Sequence, residues 1–213
     1  MSTSPPEHAA QRLNDRFDRL PLRERKKLKT RRAIQEHALR LFTEQGYDAT
    51  TVEQIAAAAE ISPSTFFRYF PTKEDVVLTD EYDPIMADVF RRQPAELSPL
   101  EAFRAVMADL LPEVVGDDAA TLYARMRLIE GVPALRARML ESMSAGTHLV
   151  LRDIIAERTG RTADDPEVQA FCWAVLGVLQ AALYHWLDGD AAYADLPALI
   201  DRNLEFLGRG CPL

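Results

Sequence analysis

The sequence predicts an all-α fold. Apolar residues recur at helical spacing, and each apolar run is preceded by a Ser, Thr, Asp or Pro start signal or followed by a Gly or Pro stop signal. The sequence contains neither an alternating β-branched run nor an Asn-Gly or Asp-Gly turn between apolar runs, so no strand is predicted. The contents of 47% hydrophobic and 27% charged residues are typical of a globular chain, and 213 residues allow one large or two modest domains.

The first predicted helix is amphipathic and covers about residues 24–45. Gly46 follows at the position of a left-handed C-terminal cap, and Tyr47 can pack back on Phe42.

Three short helices follow, each with its own N-cap. Thr50 and Thr51 both begin capping boxes, so the second helix starts at one of these two residues. Ser62, which is followed by proline, caps a third helix that ends near Tyr69, and Thr72 caps a fourth. Two short helices joined by a tight turn indicate a helix-turn-helix, although a surface pair of antiparallel helices has the same periodicity.

Longer helices are predicted beyond residue 80. Their approximate bounds are 99–114, 117–130, 133–158, 166–187 and 195–207. Pro84 is expected to kink or restart the stretch 73–93.

The predicted helix 166–187 is apolar on two nearly opposite faces. The two faces consist of Phe171, Val175, Val178, Ala182 and Trp186, and of Trp173, Gly177, Gln180 and Tyr184. Such a helix must be buried on two sides. One side can face the core and the other a second subunit; the alternative is a central helix that is buried within a monomer.

Charge is distributed unevenly along the chain. Residues 1–73 carry 13 basic and 9 acidic residues, a net +4, whereas residues 74–213 carry 12 and 24, a net −12, within an overall charge of −8. Seven basic residues and one acid lie between Arg23 and Arg32. A basic end suggests nucleic-acid binding, and a solvated basic helix end is the alternative.

Two stretches carry a family resemblance. They are Thr-Thr-Val-Glu-Gln-Ile-Ala at 50–56 and Ile-Ser-Pro-Ser-Thr-Phe-Phe-Arg-Tyr-Phe-Pro-Thr-Lys-Glu-Asp at 61–75. Together they resemble the DNA-binding signature of the TetR (tetracycline-repressor-like) family, and the similarity covers about residues 29–77. The resemblance implies a flexible N-terminal extension (1–22), a three-helix helix-turn-helix DNA-binding domain (23–75), and a helical ligand-binding and dimerisation domain (76–213).

The third helix of this family lies in the DNA major groove. Phe66 and Phe70 are predicted to face the core. The residues that the resemblance and the helix pattern place at DNA are Thr51, Ser62, Ser64, Thr65, Phe67, Arg68, Tyr69 and Lys73. Thr51 and Lys73 are expected to contact phosphate. The chain departs from the family pattern at Glu60, where glycine is frequent and a side chain is expected to be strained. It departs again at Phe67, where tyrosine is frequent; the phenyl ring suits a thymine methyl group.

A further stretch, residues 125–135, resembles a branch of the family that binds acyl-CoA-like ligands. Arg125 is predicted beside an apolar helix stripe, where it could hold an anionic head group. The expected ligand-binding residues are Leu122, Arg125, Met126, Ile129 and Trp173. The alternative is that Arg125 extends to solvent or pairs with an acid of a distant helix.

The sequence predicts neither a catalytic nor a metal or cofactor site. Its four histidines lack metal-ligand spacing, and His37 and His148 are expected to be solvated. The polar start lacks a signal-peptide core, so a cytoplasmic protein with free cysteines is expected.

The expected function is that of a repressor that a small apolar or acyl-type effector releases from operator DNA. Its expected partners are double-stranded operator DNA, a second copy of the chain and the effector, without a membrane. The alternative is a helical ligand-binding or adapter protein with a vestigial helix-turn-helix.

Overall fold

The computed structural model describes residues 12, 15–18, 21–79, 82–188 and 195–213, and the regular secondary structure of these residues is helical. The all-α prediction is therefore confirmed. The helices, numbered in chain order, are α1 (Leu22–Gln45), α2 (Val52–Ala58), α3 (Pro63–Tyr69), α4 (Lys73–Leu78), α5 (Asp83–Arg91), α6 (Pro99–Gly131), α7 (Pro133–Ala145), α8 (Thr147–Thr159), α9 (Pro166–Asp188) and α10 (Asp195–Gly208).

Helices α1 to α4 pack around one small apolar core, to which the end of α6 and the start of α7 also contribute. Its buried residues are Ile34, Ala38, Phe42, Tyr47, Ile55, Ala56, Phe66, Phe70, Val76, Val77, Leu78, Ile129 and Leu135. The rings of Phe42 and Tyr47 lie 5.0 Å apart, which confirms that the chain folds back after Gly46. The N-terminal helices thus share their core with the C-terminal part of the chain.

Local capping sets the starts of the short helices. Thr51, and not Thr50, caps α2, and Gln54 completes its capping box. Ser62 and Thr72 cap α3 and α4 as predicted. The stretch around Pro84 divides into α4 and α5, which confirms the predicted restart.

The prediction of two helices at 99–114 and 117–130 is wrong, because α6 runs through both without a break. Pro112 lies inside this helix, where it removes one backbone hydrogen bond at a cost of about 3 kcal/mol. Leu110 and Val115, on either side of the proline, are both buried in the C-terminal core. Their burial offsets the local cost of the proline.

The prediction of one helix over 133–158 is also wrong, because the chain turns at Gly146 between α7 and α8. Gly146 has φ −115° and ψ −104°, outside the helical region. A Cβ atom at this position would lie 3.1 Å from the carbonyl oxygen of Ser142, so the turn favours glycine.

The C-terminal core is formed by α5, α6, α8, α9 and α10. It includes Phe90, Phe103, Val106, Leu151, Ile154, Val175, Trp186, Ile200 and Leu204, all of which are buried. Of the described helices, α9 has the length and apolar composition that a membrane span requires. Val175, Ala182 and Trp186 on this helix are buried against the other helices.

Candidate functional site

Helix α3 is anchored by two buried rings and by its N-cap. Phe66 and Phe70 are both fully buried, with ring centroids 5.9 Å apart, as the sequence predicted. The Ser62 hydroxyl accepts a hydrogen bond of 3.1 Å from the backbone N–H of Thr65, and Pro63 is the first helical residue. These contacts fix the direction in which the other α3 side chains point.

The outward surface of α3 carries the residues that were predicted to contact DNA. Ser62, Ser64, Phe67 and Arg68 are exposed, and Thr65 and Tyr69 are half-buried. The Ser62 hydroxyl lies 2.9 Å from that of Ser64 and 3.0 Å from that of Thr65. The Phe67 ring is 49% exposed. This surface therefore offers hydroxyl donors and an apolar ring to a groove.

The turn before α3 holds Glu60 in a left-handed conformation, with φ 55°. This conformation costs a non-glycine residue about 1–2 kcal/mol. The departure from glycine noted in the sequence therefore lies at a position where a side chain is strained.

Thr51 and Lys73 were expected to contact phosphate, and they lie in different surroundings. Thr51 is exposed at the start of α2, and its hydroxyl accepts the Gln54 N–H at 3.2 Å. The Lys73 ammonium is half-buried. It donates to the backbone carbonyls of Tyr47, at 2.9 Å, and Thr50, at 3.1 Å, and lies 4.1 Å from the Tyr47 ring centroid. Lys73 thus closes the loop between α1 and α2, a role that was not predicted.

The C-terminal end of α4 is capped by side chains from two other helices. Gln35 of α1 donates to the carbonyls of Val76 and Thr79, both at 3.0 Å. Arg125 of α6 donates to the carbonyls of Val77, at 2.6 Å, and Thr79, at 2.9 Å. Neither alternative from the sequence, a solvated arginine or a salt bridge, describes these contacts.

The N-terminal end of α4 is held by Arg138 of α7. Its guanidinium donates to the Thr72 hydroxyl at 2.8 Å and pairs with Glu74 at 3.3 Å and Asp75 at 3.4 Å. Tyr47 donates to Glu74 at 2.9 Å. Burial opposes ionisation of Glu74, but backbone and side-chain hydrogen bonds and the charge of Arg138 outweigh it, so its pKa is lowered. Arg138 was not singled out in the sequence, where nothing shows its distant partners.

An apolar cavity of about 200 Å³ lies in the C-terminal part of the chain. Its lining includes Met86, Met107, Leu110, Val114, Leu179, Leu183 and Ile200. Three of the five predicted ligand-binding residues, Leu122, Arg125 and Met126, also line it. Arg125 and Met126 continue into an adjacent cleft of about 440 Å³, which Ile129 and Arg138 also line.

The structure separates Trp173 from this group. Trp173 is not among the described residues that line the cavity or the cleft. It stacks instead on His148 of α8, with ring centroids 4.4 Å apart. The expectation that His148 is solvated is wrong, because its side chain stacks on the Trp173 ring and is only 6% exposed. Burial and the nearby charge of Arg152 lower the pKa of His148.

One face of α9 lacks cover within the described chain. Trp173 and Tyr184 are 37% and 42% exposed, and Gly177 lies exposed between them. The opposite face, with Val175 and Trp186, is buried in the core. The two faces that the sequence predicted are therefore distinct, and the outer one is apolar and aromatic.

Four of the seven basic residues between Arg23 and Arg32 are exposed: Arg23, Lys26, Lys27 and Lys29. The other three contact neighbouring side chains; Arg31, for example, lies 4.9 Å from the Phe70 ring centroid.

Within the described part of the chain, no three or more His, Cys, Asp or Glu side chains are grouped to hold a metal ion.

Two family profiles match the chain. Residues 34–79 match the bacterial regulatory proteins of the tetR family, and residues 97–212 match the MftR C-terminal domain. The HTH-type transcriptional regulator TcmR of Streptomyces glaucescens is 42% identical over 161 residues, which are 72% of this chain and 71% of that protein.

Solved structures show the same architecture. FadR of Thermus thermophilus, a TetR-family repressor in complex with lauroyl-CoA, has a TM-score of 0.54 and 27% identity, over 86% of this chain and 95% of that one. FadR of Bacillus subtilis in complex with stearoyl-CoA has a TM-score of 0.53 and 22% identity, over 82% and 96%. With the helix-turn-helix geometry and the profile matches, these findings identify the chain as a DNA-binding transcriptional regulator that belongs to the tetR family of bacterial regulatory proteins.

Proposed function

We propose that the protein is a homodimeric repressor that binds a partly palindromic operator through α3. The observation that carries the proposal is the division of α3 into a buried side, with Phe66 and Phe70, and an outward side with hydroxyls and the Phe67 ring. Ser62, Ser64 and Thr65 would contact phosphate or base edges at the start of α3, and Phe67 a thymine methyl. Arg68 and Tyr69 would flank these contacts. Thr51 and the remaining donor of Lys73 would contact phosphate.

A second copy of the chain is the expected cover for the outer face of α9. A palindromic operator requires two recognition helices related by a two-fold axis. Trp173, Gly177 and Tyr184 offer an aromatic surface with a glycine, where a partner helix can approach closely. The profile match over residues 97–212 includes this surface.

The proposed effector is an apolar small molecule with an acidic or acyl-CoA head. The cavity has an apolar lining with Arg125 at its edge, and it opens towards a cleft that Arg138 also lines. An apolar tail fits the first space. The cleft is lined by Arg31, Arg125 and Arg138 and also by Asp75, Asp83 and Glu141, so an anionic head would bind there by displacing a carboxylate or a carbonyl from one of the arginines. FadR of Thermus thermophilus was solved with lauroyl-CoA, which supports testing this class of ligand.

The contacts of α4 suggest how such a ligand could release DNA. Arg125 and Arg138 belong to α6 and α7, and both bind α4, which directly follows the helix-turn-helix. An anion that draws either guanidinium away weakens a cap of α4. Release can proceed only as far as the ligand binds the DNA-free state more tightly than the DNA-bound state.

The test is fluorescence anisotropy with duplex DNA that flanks the protein's own gene. Phe67→Ala is expected to weaken binding at least about tenfold, equivalent to about 1.4 kcal/mol, while circular dichroism stays unchanged. The matched control is Leu140→Ala, which also truncates an exposed apolar side chain but lies on α7, away from α3. If the protein binds none of a large set of duplex sequences more tightly than it binds a duplex of scrambled sequence, the adapter function is favoured.

Thermal-shift measurements with fatty acids and acyl-CoAs test the ligand class, and equal stabilisation of Arg125→Ala would contradict the role of Arg125.

A further inference from the structure

The N-terminal arm, defined here as residues 12 and 15–18, is docked on α6. Arg12 Nε donates to Glu113 Oε1 at 2.9 Å, and Arg16 Nε donates to Glu113 Oε2 at 2.7 Å. Arg16 also reaches Asp109 at 2.9 Å. The Glu113 side chain is 1% exposed, whereas that of Asp109 is 51% exposed. The carboxylate of Glu113 is thus buried beneath two arginines that lie about 100 positions away in the chain.

The same arm also contacts the N-terminal helices and the linker before α5. The Phe17 ring lies 6.4 Å from that of Tyr82, and the guanidinium of Arg32 on α1 lies 4.2 Å from the Phe17 ring centroid. Asp18 pairs with Arg25, also on α1, at 3.2 Å. The arm therefore connects α6, the linker and α1 in a few residues.

The chemistry of these contacts favours a docked arm. Hydrogen bonds between charged groups are stronger when they are shielded from water, and detachment of Arg12 and Arg16 would break three of them at Glu113. The docking position also borders the effector cavity. Leu110 and Val114, which flank Glu113 on α6, line the cavity, as does Tyr82. A movement of α6 at the cavity would therefore displace Glu113 and with it the contacts that hold the arm.

We propose that the N-terminal arm is an interdomain strap, in which Glu113 of α6 holds Arg12 and Arg16 and thereby fixes the orientation of α1–α3 relative to the C-terminal helices. Glu113 is a positioning residue, since it acts through the arm and not on DNA or ligand. The proposal rests on the proposed function, because the orientation of α3 sets the operator spacing that a dimer can bind. Its readout is chosen to be independent of DNA and of effector.

The experiment measures the distribution of distances between the two domains. Time-resolved energy transfer runs from the two tryptophans of the chain, both on α9, to a fluorophore on Ser64→Cys in α3. The background carries Cys211→Ser, and the buried Cys172 is left in place because it is shielded from the label. Four versions of the labelled chain are compared: one with an unaltered arm, the Glu113→Gln variant, the double variant Arg12→Gln/Arg16→Gln, and a chain that lacks residues 2–20. Arg104→Gln, which breaks the α6 ion pair with Asp201, is the matched control.

The proposal predicts a narrow distribution for the unaltered arm and for the control, and a broader one for the other three proteins. Amide exchange at residues 15–18 should accelerate roughly tenfold in Glu113→Gln, because the loss of a charged hydrogen bond shifts a local opening equilibrium by about that factor. In the arm-deleted chain, Glu113→Gln should cause no further broadening. An unchanged distribution in the arm-deleted chain would overturn the strap, whatever the operator binding of these proteins. Failure of the unlabelled, unsubstituted protein to bind operator, together with a broadened distribution in the arm variants, would refute only the proposed function.

Discussion

Lys73 allows the family-derived phosphate contact to be separated from a role in the fold. The change to test is Lys73→Met, which keeps the length of the side chain and removes the ammonium. The ammonium donates to the carbonyls of Tyr47 and Thr50, and it lies against the Tyr47 ring. Both of these residues are buried, with exposures of 7% and 1%. Their carbonyls therefore have little access to solvent once the lysine donors are lost.

The expected destabilisation follows from these contacts. A hydrogen bond from a charged group contributes about 1.5–3 kcal/mol, and a cation–π contact at a partly exposed site about 0.5–1 kcal/mol. Since Lys73 is only half-buried, each of the two hydrogen bonds is taken below that range, at about 1 kcal/mol. The free energy of unfolding should fall by about 2–3 kcal/mol. For a chain of this size, this corresponds to a decrease in Tm of roughly 4–12 °C.

The assay is urea denaturation followed by circular dichroism, with Lys27→Met as the control. Lys27 is exposed on α1, and its replacement should change the free energy of unfolding by less than about 0.5 kcal/mol. Equal stability of the two variants would refute the structural role of Lys73. The salt dependence of operator binding tests the phosphate contact separately, because losing one contact lowers the slope by about one ion per site.

Three other predictions concern the C-terminal helices. The pKa of His148 is lower in the folded than in the unfolded chain, so as the pH falls the unfolded chain binds the proton at the higher pH. The free energy of unfolding should therefore be highest above about pH 6.5 and should decrease as the pH falls below that value. His148→Phe should flatten that part of a urea-denaturation profile measured from pH 7.5 to 5, and an unchanged profile would contradict the burial of the imidazole. Burial raises the pKa of Cys172 to about 11, so Ellman's reagent should titrate only the exposed Cys211 before unfolding, and two rapidly reacting thiols would contradict this. Truncation before Asp195 should yield a monomeric or insoluble protein in light scattering, whereas a stable dimer would show that α10 is not required for association.

The N-terminal helices could be predicted closely because local contacts set their bounds. Thr51, Ser62 and Thr72 each bond to a backbone group three residues away, and a short stretch of sequence contains both partners. Phe66 and Phe70 were placed in the core by their spacing alone. The exposed surface of α3 followed from the same periodicity, whereas the assignment of its side chains to DNA depended on the family resemblance.

The C-terminal bounds and the roles of several charged residues depend on distant contacts. The continuity of α6 through Pro112 reflects packing on both sides of the proline, which its local sequence opposes. Arg125 bonds to carbonyls 46 and 48 positions away, and a helical wheel shows only that it borders an apolar stripe. His148 lies on a charged side of its own helix, but the Trp173 ring from α9 covers it. Periodicity therefore located these side chains on their helices without identifying their partners.

The capping of α4 constrains how this regulator can be recombined with its relatives. A junction at residue 75 would divide α4, since Gln35 would come from one parent and the carbonyls of Val76 and Thr79 from the other. A junction after α4 would still require a guanidinium at 125 and another at 138 to meet it. A graft of new operator specificity is therefore expected to succeed most readily when only the outward side chains of α3 are replaced and the parent α1, α4, α6 and α7 are kept together.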